Sequence, residues 1–233
     1  MGSQTKHMRS TYSLRSTAYG LSIVLCLVVA GPLRADGPGA HAPRERPRPP
    51  AVELADELKA IDAYNNGYAS IQRAEHYEAL AGASQGAERT RAERESRKAY
   101  TASLSAFGDA VRLDASMHEA YTYLGYANRK LGRHEGALSA YAEALRLNPD
   151  YTHAIEYQGQ AYLGLNRIDE AKFNYLRLYA LNQAQAHKLL RAMQSWVEAN
   201  AAKPPPSVDL AALKAWVAER EQSHDPNESS SGW

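Results

Sequence analysis

Hydrophobic residues recur at helical intervals over most of this chain. Between residues 52 and 80 they fall mostly three or four positions apart, which places them on one face of a helix. The residues of that face are Leu54, Leu58, Ile61, Tyr64, Tyr68, Ile71 and Leu80. A second helix is predicted from about residue 87 to 113, where the charged run "ERTRAERESRK" precedes apolar positions at Tyr100, Leu104, Phe107 and Val111. The pattern predicts an all-α fold.

The region after residue 118 repeats itself at an offset of 34 residues. The identical pairs include Tyr123 with Tyr157, Gly125 with Gly159, Ala137 with Ala171, and Tyr141 with Tyr175. Counting back by the same offset takes Leu147 to Leu113 and Tyr141 to Phe107, another aromatic residue. The period therefore extends over three units, and the first has only its second helix in register.

The spacing and its residues resemble the tetratricopeptide repeat, a helix-turn-helix family of the same period. Within residues 118–151 the family positions are filled by Tyr121, Leu124, Gly125, Ala137, Tyr141, Ala144 and Pro149. The next copy matches more loosely, because Gln158, Leu178 and Gln183 replace the Leu, Ala and Pro of the family. The resemblance implies a short helical solenoid of antiparallel helix pairs, in which small residues allow close helix approach and stacking supplies stability.

A helical repeat domain is predicted over residues 51–202. Its repeats would cover about 60–117, 118–151 and 152–185, followed by a capping helix at 186–202 and, over 203–233, an amphipathic helix with a polar tail. If Gly67 takes the place of Gly125, 40 residues separate it from Phe107, whereas 16 separate Gly125 from Tyr141. The excess predicts an elongated first hairpin that turns between Gly82 and Gly86. Its insertion, residues 81–98, is either decoration of the repeat or a projecting arm for a partner.

Residues 1–35 have the features of a secretory signal peptide. Basic residues precede the apolar run "AYGLSIVLCLVVAG", which is shorter than the roughly 20 residues that span a bilayer. We expect cleavage after Ala35, with Ala30 as the alternative site and an uncleaved anchor facing the periplasm as the other possibility. Residues 36–50, "DGPGAHAPRERPRPP", read as an extended Pro/Arg-rich linker. These features indicate an exported bacterial protein, periplasmic or secreted.

Charge and cysteine content exclude several classes of function. The four basic residues of positions 1–35 leave 23 Lys and Arg against 26 Asp and Glu in the remainder of the chain. That balance provides no concentrated basic face for nucleic acid. The single cysteine, Cys26, lies within the predicted signal, so the mature protein would have no disulfide, cysteine-ligated zinc or catalytic thiol. We expect no contact with the membrane after cleavage.

Residues with catalytic or metal-binding chemistry are scattered. No two of His118, His134, His153 and His187 stand three or four positions apart, as metal ligands on one helix usually do. No nucleophile with its base, phosphate loop or pair of carboxylates has a usable spacing either. We predict no enzymatic activity, no cofactor and no metal site.

The family resemblance implies a binding surface instead. In such arrays the first helix of each pair lines a concave groove, and the corresponding positions here are Tyr64, Tyr68, Thr122, Tyr126, Arg129, Glu156 and Gln160. Tyrosine gives a large contact area with a polar tip, which suits recognition of a protein or peptide. Packing between repeats explains Tyr64 and Tyr68 equally well. Thr122 and Tyr126 replace the Lys and Asn with which chaperone-binding members hold a carboxylate, so that activity is not implied.

The predicted function is that of a non-enzymatic adaptor in the periplasm. It would hold a protein or peptide partner in its groove during assembly or maturation of an envelope complex. The alternative is a structural envelope protein that associates with itself through the first hairpin or the helix around Trp216, and the oligomeric state stays open.

Overall fold

The structure is a computed structural model that describes residues 50–222, where eight helices and no strand are found. The helices are α1 Pro50–Ala83, α2 Gly86–Leu113, α3 His118–Lys130, α4 His134–Leu147, α5 Thr152–Gly164, α6 Ile168–Leu181, α7 Gln183–Asn200 and α8 Leu210–Gln222. The predicted all-α fold is confirmed. The predicted signal peptide, the linker up to residue 49 and the tail from residue 223 lie outside the described residues.

The pairs α3/α4 and α5/α6 turn in the same way. The amide of Arg133 donates to the carbonyl of Asn128, and the amide of Arg167 donates to the carbonyl of Tyr162, both at 2.9 Å. Gly132 and Asn166 precede these amides with φ values of 77° and 60°. Glycine and asparagine both tolerate this left-handed conformation. The two repeats therefore have the same turn although the residue in it differs.

The first pair is longer than the others. α1 has 34 residues and α2 has 28, whereas the helices of the next two pairs have 13 or 14. The two long helices are joined through residues 84 and 85, inside the predicted turn. Lys130, the last residue of α3, forms an ion pair with Glu78 of α1 at 2.5 Å. From Glu78, α1 continues to Ala83. The tip of the hairpin therefore projects past the end of α3.

Glycines in the first helix of each pair meet large side chains. A Cβ placed on Gly67 would lie 2.8 Å from the ring of Phe107, and one on Gly125 would lie 2.5 Å from the ring of Tyr141. The third equivalent, Gly159, is different: its nearest side chain is Leu189 of α7, at 2.5 Å from such a Cβ. The glycines are thus positions of close helix approach.

Helices α7 and α8 cover the last pair. Asn182 caps α7 by accepting a hydrogen bond from the amide of Gln185 at 3.2 Å. The core of this end contains Leu178, Leu189, Met193, Leu213 and Val217. Trp216 of α8 packs edge-on against Tyr175, with 5.2 Å between ring centroids. Among the helices of residues 50–222, none combines the length and the apolar character that crossing a bilayer requires.

Candidate functional site

Five tyrosines connect the first helices of the three pairs. Tyr68 of α1 contacts Tyr123 of α3 at 5.3 Å between ring centroids, and Tyr126 of α3 contacts Tyr157 of α5 at 5.0 Å. Tyr64 joins them through Tyr123 at 6.0 Å. We call these residues the aromatic ladder and the surface formed by α1, α3 and α5 the first-helix face. The contacts of Tyr64 and Tyr68 with Tyr123 are edge-to-face, an arrangement that fixes ring orientations beyond what burial alone achieves.

Arg129 lies on the aromatic ladder between two of its rings. Its guanidinium carbon is 5.1 Å from the ring centroid of Tyr126 and 5.6 Å from that of Tyr157. Its Nε is buried without a hydrogen-bond partner among the described residues. A guanidinium held over two aromatic rings keeps a fixed position, and since Arg129 is only half-buried, part of the side chain reaches the surface. Arg129 is therefore suited to bind an acceptor group on a partner.

Two carboxylates of α1 hold α3 in place. The hydroxyl of Tyr126 donates to Glu75 at 2.7 Å, and the ammonium of Lys130 pairs with Glu78 at 2.5 Å. Burial, followed by the hydrogen bond to Glu75, raises the pKa of Tyr126 far above its usual range. Tyr126 is thus a neutral donor at any physiological pH. Since Glu75 and Glu78 are both engaged with α3, they position the ladder.

Glu156 and Gln160 form the α5 part of the predicted groove. The side-chain amide of Gln160 donates to the carboxylate of Glu156, which is 3% exposed. Burial raises the pKa of Glu156, and the nearby Lys188, Gln160, Arg129 and Arg191 lower it to a smaller extent. Gln160 is half-buried and stands at the surface, whereas Glu156 lies beneath it.

The predicted groove residues differ in how much surface they offer. Tyr68 is 39% exposed, and Tyr64, Tyr126, Arg129 and Gln160 are half-buried. Thr122 is 1% exposed, and its hydroxyl donates to the carbonyl of His118 at 2.9 Å. The expectation that Thr122 and Glu156 line the groove does not agree with their burial, because neither side chain presents surface to a partner. Both are interior positions below the first-helix face.

Sequence reasoning missed Tyr123 and Tyr157 as members of this surface. They were recognised as a repeated pair, and each lies three positions before a predicted groove residue, Tyr126 and Gln160. Three residues correspond to nearly one helical turn, so the two tyrosines share the face of those residues. The helical period already contained that signal. No signal in the sequence pointed to the supporting roles of Glu75 and Glu78, because those roles depend on where α1 lies against α3.

Substituting Glu156 with glutamine tests the cost of burying its carboxylate. The raised pKa means that the folded state binds the proton more tightly than the unfolded chain. The free energy by which protonated Glu156 stabilises the folded state is therefore fully present below the pKa of the unfolded chain. It is lost as the pH rises through the raised pKa of the folded state. We expect Glu156→Gln to be more stable than the wild type at pH 7 and to lose less stability between about pH 4 and pH 7. Urea unfolding at several pH values measures both quantities.

The exposed Asp169 of α6 provides the matched control. Asp169→Asn also removes one carboxylate and should leave the pH profile of stability close to that of the wild type. A Glu156→Gln profile that is superimposable on the wild-type profile would contradict the assignment.

Within residues 50–222 no group of three or more His, Cys, Asp or Glu side chains could hold a metal ion. The polar residues of the first-helix face are engaged with each other: Tyr126 with Glu75, Lys130 with Glu78, and Gln160 with Glu156. What this face presents is an ordered set of rings with Arg129 between them. Tyrosine and arginine are residue types that are enriched at the centres of protein interfaces.

The fold defines the part of the chain that the structure describes as a helical-repeat domain. Residues 118–151 match the model of the tetratricopeptide repeat family, so this part of the chain is identified as one such repeat. This repeat is typically a non-catalytic module for binding proteins or peptides. No curated protein matches the sequence at a significant level.

Several solved structures are similar to the chain. The first tetratricopeptide repeat domain of Spaghetti (RPAP3), bound to the HSP90 peptide SRMEEVD, is 19% identical, with 57% of this chain and 94% of that chain covered and a TM-score of 0.41. The crystal structure of MamA is 22% identical, with 64% and 87% covered and a TM-score of 0.39. A further MamA structure is 19% identical, with 66% and 96% covered and a TM-score of 0.36.

Proposed function

We propose that this protein is a non-enzymatic adaptor that binds a segment of a partner protein on its first-helix face. The observation that carries the proposal is the aromatic ladder with Arg129 between two of its rings. Tyrosine and arginine are enriched among the residues that dominate binding energy at protein interfaces. A ladder already ordered by its own contacts loses little entropy on binding, which favours affinity.

The partner's chemistry follows from this surface. Apolar or aromatic side chains would pack on the exposed ring of Tyr68, and a backbone carbonyl or carboxylate would accept a hydrogen bond from Arg129. Gln160 offers a further polar contact at the α5 end. The segment would cross α1, α3 and α5, because the ladder extends over all three helices.

We also propose that the protein acts in the periplasm, as part of an envelope assembly or maturation process. The support is the basic, apolar and small-residue order of residues 1–35. If it is exported and cleaved as proposed, mass spectrometry of the protein from its native host will give an N-terminus at Asp36. An intact Met1 terminus would contradict cleavage and favour a retained anchor.

Affinity capture from envelope extract tests the proposed binding face. The tagged wild type is compared with a Tyr126→Ala, Arg129→Ala double variant and with a Ser139→Ala, Arg146→Ala control, which alters two exposed residues of α4. We expect the first variant to lose most of its specifically captured partner, by about tenfold or more, and the control to retain it. Circular dichroism confirms that both remain helical. If all three capture the same proteins in equal amounts, the first-helix face is not the binding surface.

A further inference from the structure

Two helices carry most of the large apolar side chains that stay exposed within residues 50–222. On α1 the first three of them along the helix are Leu54, Leu58 and Ile61, which are 58%, 56% and 38% exposed. On α6 the two most exposed are Phe173 and Leu176, which are 65% and 53% exposed. We call them the α1 patch and the α6 patch. Clustered apolar residues left on the surface of a folded domain mark interaction sites.

The two patches have the same residue pattern with opposite charges. Residues 57–62 of α1 read "ELKAID" and residues 172–177 of α6 read "KFNYLR". In each, two exposed apolar residues three positions apart share one helix face. A charged residue precedes the first and another follows the second. These flanking residues are both acidic on α1, Glu57 and Asp62, and both basic on α6, Lys172 and Arg177.

Contacts within the chain keep these charges at the edges of the patches. The one basic residue within the α1 motif, Lys59, is paired with Asp56 at 3.2 Å, away from Leu58 and Ile61 on the helix. On α6 the guanidinium of Arg177 donates to the carbonyl of Pro149 and lies 3.7 Å from the exposed Asp150. The ammonium of Lys172 lies 5.6 Å from the ring centroid of Trp216. Lys172 and Arg177 are thus held in place by contacts within the chain, with the acidic Asp150 beside Arg177.

We propose that the α1 patch of one copy docks on the α6 patch of a second copy of this chain. This contact covers Leu58 and Ile61 with Phe173 and Leu176 and sets acidic edges against basic ones. A symmetric contact of α1 with α1 would oppose Glu57 and Asp62 of two copies, and α6 with α6 would oppose basic residues. Opposed like charges disfavour both. Charge complementarity therefore selects the unlike pair.

An interface between unlike patches has a consequence for stoichiometry. Each copy that uses its α1 patch still has a free α6 patch, so association does not stop at a dimer unless a ring closes. The aromatic ladder is not part of either patch. Self-association through α1 and α6 therefore uses other residues than the ladder, although Tyr64 lies one helical turn after Ile61, so the two contacts adjoin each other on α1.

Charge reversal on each patch tests the proposal by sedimentation velocity over a range of concentrations. The first variant is Glu57→Lys, Asp62→Lys, and the second is Lys172→Glu, Arg177→Glu. The wild type is expected to form species larger than dimers as concentration rises. Each variant alone should associate at least about tenfold more weakly, because its own two patches now have the same sign. A mixture of the two variants should recover association, since it again provides opposite charges at every contact.

A Phe173→Ser, Leu176→Ser variant removes the apolar centre without touching the charges, and circular dichroism monitors the fold of every variant. Its loss of association with unchanged helicity supports the proposal. A wild type that remains monomeric throughout, variants that associate as the wild type does, or a mixture that stays as dissociated as its components would each overturn it.

Discussion

Replacing Phe107 with alanine is expected to lower the free energy of unfolding by about 3–5 kcal/mol, the usual cost of deleting a buried phenyl ring. Phe107 is 0% exposed and joins the first pair to the second. Its ring stacks on Tyr123 of α3 at 5.5 Å and meets the ring of Tyr64 edge-on at 5.6 Å, while its atoms fill the space above Gly67. The cavity would therefore open where α1, α2 and α3 meet.

The control is the chain's only other phenylalanine, Phe173, which is 65% exposed on α6. Phe173→Ala removes the same atoms from a surface position and should change stability by no more than about 0.5 kcal/mol. Urea unfolding followed by circular dichroism, at low protein concentration, compares the two. Equal losses of stability would show that Phe107 is not the packing centre of the first pair.

Replacing Gly125 with alanine is expected to destabilise the protein by about 1–3 kcal/mol, because a methyl group there overpacks the interface with α4. The new Cβ would lie 2.5 Å from the ring of Tyr141, which is 0% exposed. The sign is informative, since alanine normally stabilises a helix relative to glycine by roughly 0.5–1 kcal/mol.

Gly108 provides the matched control within α2. A Cβ at that position meets nothing within 4 Å, so Gly108→Ala should show the ordinary helix-propensity gain of about 0.5–1 kcal/mol. Thermal or urea unfolding measures both variants. Opposite signs for the two substitutions would confirm that Gly125 is a contact position, and a gain in stability at both would refute it.

Much of the fold could be predicted because it depends on local periodicity. The period that aligns Tyr141 with Phe107 also locates the second helices, and Gly67 identifies the first helix of the elongated pair. The packing of Gly159 was not predictable in the same way. Its neighbour Leu189 comes from α7, beyond the repeat, and no period relates the two residues.

The candidate site could be predicted only in part, for a similar reason. Repeat register indicates which positions lie on the first helices, and Tyr126 and Arg129 are half-buried there beside Tyr157. Register does not say how deep each position lies. Thr122 and Glu156 are equivalent positions in successive repeats, and both are covered by the helices packed against them. Burial of this kind depends on the positions of neighbouring helices, and these positions cannot be read from a single sequence.

Site-specific photo-crosslinking tests the central claim most directly, that partners bind on the first-helix face. A photoreactive residue is placed at Tyr68 or at Gln160, on α1 and α5, and at Ser139, an exposed position on α4. The account predicts that both first-helix positions crosslink to the same partner in cells and that position 139 does not. Crosslinks to that partner from position 139 alone, or equally from all three positions, would contradict it.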